Sequence, residues 1–177
     1  TSPISPIYRA RDIAPQLKLS GAVAFIVPRA FGNFDYAGMA GDLQREIATL
    51  RSTIVVGPDA PTGALLWSEL LAAGRSAALA RERERVAARE YALGLDQMML
   101  LNFTSGTTGR PKGVMHSTRS VSSCAAPTMV RLQLTADDVI FVAPTLGHGG
   151  GFLNGFYAPL HLGAKVVYVD AWDAAIA

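Results

Sequence analysis

Five short apolar, β-branched runs punctuate the chain, and the stretches between them have the spacing of helices. The runs are Val23–Val27, Thr53–Val56, Met98–Phe103, Val139–Ala143 and Lys165–Val169, most of them bounded by Gly or Pro. Runs of this length and composition read as buried strands. Between them, Ile13 and Leu17 share a helix face, and Met39, Leu43, Ile47 and Leu50 form a stripe at steps of four, four and three. Asp35 stands just ahead of that stripe, where it can cap the helix. Strand–helix alternation predicts an α/β fold, a sheet with parallel pairings flanked by helices.

Pro58-Asp-Ala-Pro-Thr-Gly63 is dense in turn formers and predicts a surface connection. Leu65–Ala73 then reads as a short helix ended by Gly74, and Ala77–Glu90 as a second helix carrying Arg81-Glu-Arg-Glu-Arg85. Glu82 with Arg85, and Arg81 with Glu84, stand at i,i+3 and can pair on a helix surface. Such a charge run suits a solvated connecting helix better than a docking surface for an acidic partner, so residues 74–96 are read as an internal linker.

With 177 residues, half of them hydrophobic, the chain can build a core, and one domain is the default at this length. A net charge of +2 with no basic stripe argues against nucleic-acid binding. Cys124 is the only cysteine, so no intrachain disulfide forms. The first residues, Thr1-Ser-Pro-Ile-Ser-Pro-Ile-Tyr-Arg9, contain no apolar segment of the signal-peptide kind. No apolar run approaches the roughly 20 residues of a membrane span. A soluble, cytoplasmic protein is expected. Because the chain opens on Thr1 and stops within Ala174-Ala-Ile-Ala177, which reads like the start of a helix, a piece of a longer protein is expected.

The chemistry is concentrated in one loop. The apolar strand Met98–Phe103 runs straight into Thr104-Ser-Gly-Thr-Thr-Gly-Arg-Pro-Lys-Gly113, with three glycines, four hydroxyls, one proline and one lysine. Gly106 and Gly109 permit positive φ, so consecutive N–H groups can turn toward one concavity and bind an anion with several oxygens. Thr104, Ser105, Thr107 and Thr108 add neutral donors, and Lys112 brings a point charge to a phosphate. Pro111 stiffens the exit of the loop. A Walker A loop needs four residues between Gly and Gly-Lys, then Ser or Thr; here Gly113 follows Lys112. No G-x-G-x-x-G dinucleotide fingerprint occurs. A bland surface hairpin would not need four hydroxyls and a lysine fed by a buried strand.

From Thr104 to Val114 every fixed position matches T-S-G-T-T-G-x-P-K-G-V, and the loop resembles the phosphate-binding signature of the adenylate-forming superfamily, which includes acyl-CoA synthetases, luciferases and peptide-synthetase adenylation domains. The resemblance extends over nearly the whole chain. Ser5-Pro-Ile-Tyr-Arg9 with Asp12, then Ser20-Gly-Ala22, looks like the region upstream of the loop in CoA ligases. Met115-His-Ser117 looks like the short strand leading into the next helix, with Ser117 or Thr118 as its N-cap. Pro144-Thr-Leu-Gly-His148 and Gly149-Gly-Gly-Phe152 look like the turn that opens an acyl-pocket helix, with Pro144 one position earlier than the usual spacing. Leu162-Gly-Ala164, Lys165–Val169 and Asp170-Ala-Trp-Asp173 match the family's next stretch.

The resemblance implies an incomplete N-terminal, ATP- and acyl-binding domain over residues 1–177 of an AMP-forming acyl-CoA synthetase. A fatty or alicyclic acid would attack MgATP, giving acyl-adenylate and pyrophosphate, and CoA would then displace AMP. Cofactor binding falls to Thr104, Ser105, Gly106, Thr107, Thr108, Gly109 and Lys112, with Thr108 also assigned to Mg²⁺. Lys112 and His148 are the candidate catalytic residues, His148 between the carboxylate and the α-phosphate. Gly149–Gly151 would let the backbone approach the acyl chain closely. Phe152 and Phe156, at i,i+4, would face the space for that chain or the core, and the core is favoured. His116 and His161 are read as structural, and Cys124 as a residue on a helix with no neighbouring base. The family's Y-G-x-T-E turn with its Mg²⁺-holding Glu, the ribose-binding Asp, the hinge and the C-terminal domain with its lysine do not occur before Ala177. The isolated chain is therefore expected to be inactive. A carrier-protein-loading adenylation enzyme and a non-catalytic nucleotide-binding module remain the alternatives.

Overall fold

The computed structural model describes residues 1–74, 82–87, 94–104 and 111–169. They divide into two units: one lies within residues 8–94, the other comprises residues 1–7 and the described residues from 95 onward other than Pro111.

The first unit holds α1 (Ala10–Ser20), β1 (Ala24–Pro28), α2 (Tyr36–Glu46), β2 (Ser52–Val56), β3 (Leu65–Leu66), α3 (Trp67–Ala73) and a helical stretch, α4, at residues 82–87. Its sheet has the order β1-β2-β3 and is parallel throughout, with Ala24–Pro28 facing Ser52–Val56 residue for residue. Parallel pairing follows from the crossover through α2. Phe25 and Val27 of β1 alternate inward with Thr53 and Val55 of β2, while Ile26 is 54% exposed. The strands are thus buried on one face, not on both. The inward face meets α2, and α1 packs beside α2. Ile13, Leu17, Met39 and Leu43 are all buried there, as the helical spacing requires.

Asp35 caps α2: its Oδ1 accepts from the Gly38 N–H at 2.9 Å and from Arg29 Nη1 at 2.5 Å. Arg29 Nε also donates to Asp59 at 2.6 Å, and these two carboxylates raise the guanidinium's pKa, the Asp59 hydrogen bond most. The helix stops at Glu46, yet Ile47 and Leu50 remain buried, so the apolar stripe outlasts the helix that began it. Asp35→Ala is expected to lower stability by about 1 kcal/mol in urea unfolding, mostly through the lost cap, because exposed ion pairs add little.

The helix expected over Leu65–Ala73 is shorter, because Leu65 and Leu66 pair with Ile54 and Val55 as β3. Gly74 ends α3 in the right-handed region, at φ −64. Within α4, Arg85 lies 3.6 Å from Glu82; the Arg81–Glu84 pair and most of the 74–96 linker lie outside the described residues.

The second unit holds β4 (Met98–Thr104), β5 (Lys112–Ser117), α5 (Thr118–Arg131), β6 (Val139–Val142), α6 (Gly149–Phe152), a π-helical turn (Leu153–Tyr157), α7 (Ala158–Leu162) and β7 (Lys165–Tyr168). β6 and β7 are parallel, with Val139–Val142 facing Lys165–Tyr168. β4 and β5 are antiparallel, because the connection between Thr104 and Lys112 is too short for a crossover. On the other edge of β4, Thr1 N donates to Met99 O at 2.9 Å and Leu101 N to Thr1 O at 2.8 Å, the bond pattern of a parallel pair. Ser117 caps α5, its Oγ accepting from the Ser120 N–H at 3.2 Å. One face of α5 buries Val121 with Leu100 and Phe152, and Ala125 and Met129 with Ala158. Gly163, at φ 70, ends α7 and turns the chain into β7. Among the described residues no helix is long and apolar enough to cross a membrane.

Candidate functional site

The β4–β5 hairpin is a stem whose open end carries the glycine- and hydroxyl-rich loop. Thr104 and Lys112 face each other as register partners at that end, and both are exposed. Lys112 forms no ion pair with any acidic side chain among the described residues. Ser105, Gly106, Thr107, Thr108 and Gly109 lie outside the described residues. Gly113 lets β5 lie close to β4, since a Cβ there would stand 3.0 Å from Leu101 Cδ1 and 3.4 Å from Phe103 Cε1. The base of the stem is tied to α5: Arg119 N donates to Leu95 O at 2.9 Å, and its guanidinium holds Asp96 in two bonds of 2.6 and 3.1 Å. Those hydrogen bonds depress the Asp96 carboxyl below the usual range.

Leu100, Asn102 and Thr104 alternate along one face of β4. Leu100 packs with Phe152 of α6, and Asn102 Nδ2 lies 3.6 Å from where a Cβ of Gly149 would stand. Contacts between α6 and β4 therefore run toward Thr104, which sets His148, at the start of α6, toward the loop end of the strand. His148 is exposed and caps α6, its Nδ1 accepting from the Gly150 N–H at 3.2 Å. An Nδ1 that accepts carries no proton, so the remaining donor of the neutral ring is Nε2–H. The histidine is thus a structural cap at one nitrogen and an available donor at the other.

The glycines around it are of two kinds. A Cβ on Gly147 would stand 2.4 Å from Ser5 N, so the close approach of the N-terminal segment requires that glycine, and one on Gly151 would stand 2.1 Å from Thr145 O, so the turn itself requires that one. A Cβ on Gly149 or Gly150 would meet nothing closer than 3.6 and 3.5 Å, and packing does not require these two. Phe152 is buried as expected, whereas Phe156 is 43% exposed, its ring 5.2 Å from that of Phe152. The assignment of Phe156 to the core is corrected. Phe156 packs on the buried Phe152 at the edge of the core and leaves its own outer side to solvent.

His116 is half-buried in β5 opposite Leu100, and His161 stacks on Tyr157 at 5.9 Å. Cys124 is exposed on α5. Among the described residues no three His, Cys, Asp or Glu side chains stand together as a metal site. Asn102 escaped the sequence reading, though a lone amide inside the apolar run Met98–Phe103 was a visible signal; its Oδ1 is buried with no partner among the described residues.

The sequence model of the AMP-binding enzyme family matches residues 1–177. The chain is 30% identical over 178 residues to the medium-chain fatty-acid–CoA ligase of Escherichia coli strain K12, covering 99% of this chain and 30% of the ligase. It is also 30% identical over 165 residues to the 3-[(3aS,4S,7aS)-7a-methyl-1,5-dioxo-octahydro-1H-inden-4-yl]propanoyl:CoA ligase of Mycobacterium tuberculosis strain H37Rv, covering 93% of this chain and 31% of that ligase. Among solved structures, the anthranilate CoA ligase AuaEII in complex with anthranoyl-AMP superimposes with a TM-score of 0.73 at 20% identity, over 93% of this chain and 29% of that one. The chain thus spans about 30% of the length of the curated relatives it matches.

Proposed function

The chain belongs to the AMP-binding enzyme family, and from that premise we propose that its parent protein is an ATP-dependent, AMP-forming acid–CoA ligase. The observation that carries the reading is the hairpin that sets Thr104 against Lys112 at the two ends of the T-S-G-T-T-G-R-P-K-G loop. The 177 residues supply part of the ATP- and acyl-binding domain. A carboxylic acid, fatty or alicyclic, attacks the α-phosphate of ATP and releases pyrophosphate, and the CoA thiol then displaces AMP as the thioester forms. CoA is favoured over a carrier protein because the curated relatives are CoA ligases. The reading goes with a cytoplasmic setting.

In this chemistry the protein chiefly positions groups and stabilises charge. The loop Thr104–Gly109 with Lys112 holds the β- and γ-phosphates, the part that leaves. Lys112, facing Thr104 on the rigid stem, brings one positive charge to the pyrophosphate as it gains negative charge. His148 Nε2–H donates to the substrate carboxylate or shapes the acyl pocket, with the ring held by its Nδ1 bond to Gly150. Mg²⁺ comes in on the ATP phosphates, with Thr108 as the hydroxyl this segment contributes; the described residues supply no carboxylate cluster for it.

The test is acid-dependent pyrophosphate release and CoA-dependent thioester formation by the full-length parent across straight-chain and alicyclic acids. Acyl-adenylate that stays unconverted on addition of CoA would remove the CoA acceptor, and absence of acid-dependent pyrophosphate would remove the ligase reading.

A further inference from the structure

The helical run from Gly149 to Leu162 is not uniformly α: it widens to a π turn over Leu153–Tyr157. The cause is in the sequence. In an α-helix the carbonyl of Gly155 would accept from the N–H of residue 159, but residue 159 is proline, which has no N–H and whose ring presses on that carbonyl. Gly155 is buried, and its carbonyl is left without its α-helical donor. Tyr168 of β7 supplies one, its hydroxyl donating to Gly155 O at 2.5 Å. No side chain fits at 155, since a Cβ there would lie 2.7 Å from Val142 Cγ1 on β6.

A second hydroxyl anchors the same turn. Tyr157 Oη lies 2.5 Å from Ser122 Oγ on α5, and Ser122 commits its one hydrogen to Thr118 O at 2.8 Å. Tyr157 is therefore the donor. A π turn holds more residues per turn than an α turn, so it sets the rotation of everything before it relative to everything after it. Before it lies α6, with His148 as its cap. After it lies α7, which leads into β7 and Tyr168.

We propose that Tyr168 is a positioning residue: by holding the Gly155 carbonyl it fixes the π turn, and through it the direction in which His148 and the open glycines Gly149 and Gly150 face the carboxylate substrate. The inference rests on the ligase reading, and nothing in it depends on the phosphate loop. The effect therefore falls on the acid and not on the nucleotide.

The experiment compares wild-type full-length parent with Tyr168→Phe, Pro159→Ala and the double variant, reading KM for the acid, KM for ATP and melting temperature. Tyr168→Phe takes the hydroxyl donor from a buried carbonyl, and a rise of about tenfold in acid KM is expected at unchanged ATP KM. In the double variant the Pro159→Ala change gives the Gly155 carbonyl a backbone donor, but at α-helical register. Melting temperature should then recover while acid KM stays high. Should Tyr168→Phe alone fail to fold, the double variant, in which the carbonyl regains a donor, must still show the raised acid KM. An unchanged acid KM, or an acid KM that recovers together with melting temperature in the double variant, overturns the proposal, since a purely structural bond would behave so. A wild-type parent that makes no acyl-adenylate overturns the ligase reading, and this role with it.

Discussion

Replacing Lys112 with Ala in the full-length parent is expected to lower kcat/KM for MgATP by about ten- to a hundredfold, without lowering the unfolding midpoint. The size follows from a charge-assisted hydrogen bond to phosphate, worth roughly 1.5–3 kcal/mol, with about 1.4 kcal/mol for each factor of ten. The fold is spared because Lys112 is exposed, forms no ion pair among the described residues, and contributes to β5 through its backbone. Lys112→Arg should recover only part of the loss, since a planar fork does not follow a phosphate as a compact ammonium does. Titrating MgATP into this chain and its Lys112→Ala variant by calorimetry separates two cases. Binding that disappears in the variant shows that the loop works within this segment. Wild-type kinetics in the full-length variant would remove Lys112 from the site.

Gly151→Ala is the largest expected change in stability from a single methyl group. The added Cβ would stand 2.1 Å from Thr145 O and 3.0 Å from Pro144 O, both backbone atoms of the turn that delivers His148. Backbone cannot swing aside as a long side chain can, so the turn must open, at a cost of about 2–3 kcal/mol. Alanine's better helix propensity returns at most about 1 kcal/mol of that. Gly149→Ala makes the paired comparison: its Cβ would meet Asn102 Nδ2 at an ordinary 3.6 Å, and stability should stay within about 0.5 kcal/mol. Urea unfolding of the two variants decides the matter. Equal midpoints would mean that the 145–151 turn is looser than its geometry implies.

Much of the fold was legible because strands and helices bury apolar residues at different periods. All five expected strands form within one residue of their expected ends, and Asp35 and Ser117 cap the helices they precede. Misreadings occurred where tertiary contacts override local pattern. Leu65 and Leu66 have helical spacing with Leu70 and the rest of α3, yet pair with β2. Ile47 and Leu50 keep the rhythm of α2 after its backbone has left the helix, because the core selects for burial and not for helicity. Phe156, at i,i+4 from Phe152, does pack on it, but among the described residues nothing covers its outer side, and periodicity alone does not show where the core ends.

The α/β class and an apolar strand running into a glycine- and hydroxyl-rich loop were legible from the chain alone, because composition, period and an eleven-residue signature, Thr104 to Val114, are all local properties. Which residues stand together came from packing and strand register. Antiparallel register set Thr104 opposite Lys112, and packing brought Asn102 against Gly149. The folded chain also holds His148 with its Nδ1 already committed. The π turn illustrates the division most clearly. Pro159 announces that the Gly155 carbonyl will lose its α-helical donor, but the hydroxyl that bonds it comes from strand β7. Hydrogen bonds between residues distant in sequence leave no periodic trace, so the pairing with Tyr168 appears only once the chain has folded.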